Sequence, residues 1–61
     1  MHGLTTKEIG AIEESIKMEA LCVQKLQAYE REASDPELRE MCRSGIQTAQ
    51  RHIDELLGLL R

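Results

Sequence analysis

Apolar side chains in the first half of the chain recur at Ile9, Ile12, Ile16, Val23 and Leu26, at spacings of three, four and seven. That rhythm is the seam of an amphipathic α-helix. A second seam of the same period follows through Leu38, Met41, Cys42, Ile46, Ala49 and Ile53 and ends in Leu56, Leu57 and Leu60. Between the two lies Ser34-Asp35-Pro36-Glu37-Leu38. Proline lacks an amide donor and forces the residue before it out of the helical region, so the first helix must stop before Asp35. The same residues begin the second helix, with Asp35 as N-cap, Pro36 at the first helical position and Glu37 beside the positive end of the dipole. The pattern predicts an all-α chain: one domain over residues 1–61, helix 1 over about 6–33, a turn at 34–35 and helix 2 over about 36–60.

Helix 1 carries its own start signals. With Thr5 as N-cap, Glu8 falls at the third helical position and completes a capping box, while Leu4 and Ile9 sit where a hydrophobic staple has its two ends. Met18, Ala20, Leu21, Cys22 and Ala28 lie beside the seam and widen the apolar face beyond what one neighbouring helix covers. On helix 2, Gly45 and Ala49 leave a shallow place for close approach of another backbone, and Leu56, Leu57, Leu59 and Leu60 crowd the last turns. A two-helix hairpin leaves those leucines wet, so they are expected to be buried between chains. Sixty-one residues seldom support a sufficient core without disulfides, a metal or partner subunits. The prediction is therefore an antiparallel helical hairpin that dimerises into a four-helix bundle.

Composition removes several classes of function. Of 61 residues, 41% are hydrophobic, yet Tyr29 is the single aromatic, so the core is aliphatic. The net charge is −3 with acids and bases interleaved, which offers neither a basic patch nor stacking surfaces for nucleic acid. No apolar run approaches the roughly 20 residues of a membrane span, and Met1-His2-Gly3 lacks the features of a signal peptide; the expectation is no membrane association and a cytoplasmic site of synthesis. His2 reads as a surface residue. Counting levels from the turn sets Cys22 opposite about residue 47, roughly 7 Å along the axis from Cys42 at 1.5 Å per residue. With the width of a helix pair added, the two cysteines are beyond disulfide reach and are expected as reduced, half-buried small hydrophobes.

The three-four rhythm of helix 1 also lands on Glu19 and Glu30. Glu30, near the turn, is expected to pair with Arg39 across the hairpin. Glu19 lies among apolar turns, where an ionised group needs a partner or a metal. The level count sets it opposite about Gln50, which brings His52 within a turn of it. Carboxylate and neutral imidazole suit iron, manganese or zinc in a helical bundle, and a two-fold dimer would double the set. A Glu-His hydrogen-bonded pair, or a His52 that simply reaches solvent, fits the same spacing. No Ser, Cys or Lys has a general base at helical spacing, and nothing is placed to activate Cys22 or Cys42 as redox thiols.

Several segments together carry a resemblance: Leu4-Thr5-Thr6-Lys7-Glu8, Met18-Glu19, Tyr29, Asp35-Pro36-Glu37-Leu38-Arg39 and Arg51-His52-Ile53-Asp54-Glu55-Leu56-Leu57. In that order and spacing the chain resembles the spore coat protein F-like family, short ferritin-like proteins of endospore-forming Firmicutes. The resemblance implies a ferritin-like four-helix bundle, homo-oligomers, other spore coat proteins as partners and a place in the spore coat during sporulation. In the wider ferritin and rubrerythrin group, helix pairs carry Glu on the first helix and Glu-x-x-His on the second. Glu19 matches the first and His52 the motif histidine, while Ala49 stands where the motif has Glu. With that bridging carboxylate missing, the resemblance implies a structural or interaction protein and not an enzyme, with no cofactor; the alternative is a metal-binding mini-protein using Glu19 and His52 of two chains.

Overall fold

The computed structural model describes residues 3–61, and His2 lies outside that range. Two helices, α1 (Thr6–Glu32) and α2 (Pro36–Leu60), pack side by side in a hairpin 47 Å long and 14 by 11 Å across. Among the described residues there is no strand, and no helix is long and apolar enough to cross a membrane.

Both helix starts form as their sequences dictate. The Thr5 backbone amide donates to the Glu8 carboxylate at 2.8 Å, and the Glu8 amide donates to the Thr5 hydroxyl at 3.0 Å, so the capping box is complete. Two amide donors that the helix leaves free are thereby satisfied. At the second start the Glu37 amide donates to Asp35 Oδ1 at 2.9 Å, with Pro36 in the first turn. α1 stops at Glu32, one residue short of the expected boundary. Ala33 (ψ 129°) and Asp35 (ψ 120°) are both extended, as the approach to Pro36 demands, although the Ala33 amide still donates to the Tyr29 carbonyl at 2.9 Å.

The two seams face each other. Ile12, Ile16, Val23, Leu26 and Ala33 of the first chain segment and Ile46, Ile53 and Leu56 of α2 are half-buried. Among the described residues full burial is confined to Cys42 and Ala49, both on α2 and both small. Among the described residues Met18, Leu21, Tyr29, Leu38 and Met41 are 48 to 65% exposed, and Leu57, Leu59 and Leu60 are 37 to 40% exposed. The chain presents 4845 Å² to solvent, whereas compact monomers of 6.9 kDa expose about 4,000 Å². Roughly 850 Å² of surface is left over.

Part of the shallow place expected over Gly45 and Ala49 is taken up from within the chain. Leu26 Cδ1 lies 3.0 Å from the position a Cβ on Gly45 would take. A side chain of α1, and not a backbone, uses that space, because the long Leu26 reaches further than the helix backbones approach.

Candidate functional site

A carboxylate and an imidazole meet midway along the hairpin. His52 Nδ1 lies 3.0 Å from Glu19 Oε2. An ionised carboxylate only accepts, so the Nδ1–H donates and a neutral His52 keeps its lone pair on Nε2. Glu19 retains 30% and His52 49% of their side-chain exposure, so the pair is open to water on one side. Cys22, Thr48 and Ala49 line the same hollow. The predicted approach of Glu19 and His52 is therefore present, and it takes the form of a hydrogen-bonded pair.

Side-chain tilt sets which residues meet. In an α-helix every Cα–Cβ bond leans toward the N-terminus. In this hairpin, α1 side chains lean away from the turn and α2 side chains lean toward it. A contact consequently joins an α1 residue to an α2 residue farther from the turn than a level count places it. Glu19 meets His52, two positions beyond Gln50. Leu26 meets Gly45 by the same shift. Glu30 takes Arg43 at 2.6 Å and not the expected Arg39, which lies four positions too near the turn for two such long side chains. Arg43 also reaches Glu40 at 3.4 Å. The hydrogen bond it donates to Glu30, and then the Glu30 charge, raise the Arg43 guanidinium further above its ordinary value, so it stays charged. The rim pair that sequence reasoning missed was signalled by this tilt, which counting levels ignores.

The cysteines divide unequally. Cys42 is buried on the seam, while Cys22 is exposed and not half-buried as expected; both are free. Cys22 falls about 100° round the helix from Val23, on the broad open face and off the contact line.

As a metal centre the arrangement is incomplete within one chain. Among the described residues no group of three or more His, Cys, Asp or Glu side chains converges. Glu19 Oε1 and His52 Nε2 are the two remaining donors at the pair. Ala49 faces the hollow shared by Glu19 and His52, at the place a third donor would take, and contributes a methyl group that is 4% exposed. The residues of a single chain do not fit a dinuclear centre.

No family model, curated protein or solved structure matches this chain.

Proposed function

We propose that this hairpin is a subunit, two copies of which close a four-helix bundle that serves as a structural building block or adaptor. The surplus of exposed surface carries this reading. Roughly 850 Å² beyond that of a compact monomer is close to the about 800 Å² that each partner contributes to a stable interface. Its apolar side chains, Met18, Leu21, Tyr29 and Met41 among them, are those whose burial stabilises association at about 25 cal/mol per Å². The resemblance to the spore coat protein F-like family supports a ferritin-like form for the bundle and a role in the spore coat beside other coat proteins, after synthesis in the cytoplasm. The reading assigns the chain no reaction. Sedimentation equilibrium at micromolar protein is expected to return twice the 6.9 kDa chain mass; a well-folded monomer overturns it.

The 3.0 Å approach of His52 to Glu19 favours a second reading, a metal site shared by two copies. A carboxylate that holds Nδ1–H orients an imidazole so that Nε2 faces a metal, and two copies would supply four donors. The candidates are iron, manganese and zinc. Metal analysis of protein purified without chelator, beside Glu19→Ala and His52→Ala, decides it: stoichiometric metal lost in both variants supports the shared site, and none in the parent protein ends it.

A further inference from the structure

α1 carries a stripe that is complementary to itself when turned end for end. Glu14, Met18, Leu21 and Lys25 follow one another at spacings of four, three and four, so they share one side of the helix. All four are exposed, Met18 at 64% and Leu21 at 51%. A negative charge stands at one end, a positive charge at the other, and two large apolar side chains lie between. The stripe centres between Glu19 and Ala20, and Glu19 is the middle residue of the 27-residue helix.

We propose that two copies of this chain pair antiparallel, α1 against α1, about a two-fold axis that crosses the helices at the level of Glu19. This rests on the self-association proposed above and adds its geometry. Each Lys25 then faces the partner's Glu14, each Met18 faces the partner's Leu21, and the hairpins overlap over their full length with their turns at opposite ends. A two-fold contact is isologous, so each pairing occurs twice. The same operation sets Tyr29, 59% exposed, over the small residues Gly10 and Ala11 of the other copy, where no side chain within 4 Å occupies the space above Gly10. The parallel alternative, with turns side by side, sets α1 against the other copy's α2. With the two-position shift seen inside the hairpin, it leaves Glu14 opposite Leu57 and Lys25 opposite Ile46, so neither charge finds a partner. Charges left unpaired at an interface disfavour the wrong orientation.

A charge swap tests the pairing. Glu14 and Lys25 are eleven residues apart on one helix, about 16 Å, so within one chain they scarcely interact. Glu14→Lys and Lys25→Glu are each expected to weaken the dimer roughly tenfold in Kd by sedimentation, and the double swap to recover most of that loss. The coupling should shrink at high salt. A second readout is independent of the charges: Ser34→Cys in a Cys22→Ala background, spin-labelled at the turn while buried Cys42 stays protected. Label separations approaching the 47 Å length of the hairpin support the antiparallel pairing. Additive single variants, or labels no farther apart than two hairpin widths, overturn it and leave self-association standing. A monomer at every concentration overturns both.

Discussion

The Glu19 carboxylate accepts from His52 Nδ1 at 3.0 Å across 33 residues of sequence, and the two side chains interrupt a largely aliphatic contact line midway along the hairpin. A half-buried carboxylate that loses its donor keeps its desolvation penalty, whereas replacing both groups by hydrocarbon removes penalty and bond together. His52→Leu alone is therefore expected to destabilise the protein by about 1 kcal/mol, the lower part of the usual range because Glu19 is partly solvated. Glu19→Leu combined with His52→Leu should return to the parent stability or exceed it. Urea denaturation of the parent, Glu19→Leu, His52→Leu and the double variant at one concentration checks this; a double variant whose loss equals the sum of the singles refutes it.

Two glycines in helix interiors should respond differently to alanine. Replacing a helical glycine by alanine gains about 1 kcal/mol from propensity alone. Gly10 has open space where the new methyl would go, so Gly10→Ala is expected to realise that gain in the monomer. At Gly45 the methyl meets Leu26 Cδ1 at 3.0 Å, and the leucine must turn aside to admit it. Gly45→Ala should gain measurably less or nothing. Equal gains in thermal unfolding would show that Leu26 does not hold that position.

Substituting Asp at Ile16 or at Ile53 is expected to abolish folding. Each is half-buried on the line where the helices meet, and an unpaired carboxylate there costs several kcal/mol. A hairpin in which, among the described residues, only Cys42 and Ala49 are fully buried has little stability to absorb such a loss. Circular dichroism of each variant should lose the helical signal at micromolar protein, and a folded spectrum would contradict the assignment of the seam.

The first turn of α1 should loosen in acid. The Thr5 backbone amide, and secondarily its side chain, hold the Glu8 carboxyl below its ordinary value. A carboxyl depressed in the folded state contributes stability that is present above its unfolded value and is lost as pH falls through the folded one. The protection factors of the Thr5 and Glu8 amides, taken against the intrinsic exchange rate at each pH, should fall on acidification past the usual carboxylate range, and Glu8→Gln should flatten that dependence. An acid response unchanged in Glu8→Gln would place its origin elsewhere.

The sequence states the elements of this fold almost completely, because each boundary is written in local chemistry. Thr5 and Glu8 form the box their spacing implies, Asp35 and Pro36 open α2, and the three-four rhythm through Ile16, Glu19, Val23 and Leu26 matches the half-buried side of α1. The candidate pair was legible for the same reason, since a short turn leaves little choice of register. The partner of Glu30 was not. Choosing between Arg39 and Arg43 depends on the lean of long side chains along antiparallel axes, a three-dimensional property that the level count omits. The exposure of Cys22 escaped similarly, because one residue of rotation separates the contact line from the open face.

The three cross-hairpin contacts have a temporal meaning as well as a spatial one. Glu30 and Arg43 enclose 12 intervening residues, Leu26 and Gly45 enclose 18, and Glu19 and His52 enclose 32. Each closes a longer loop than the one before, and loop-closure entropy rises with length, so a chain nucleated at Asp35-Pro36 zips outward from the turn. The imidazole and carboxylate are then expected to meet later in folding than Glu30 and Arg43, and to part before them when the open ends fray.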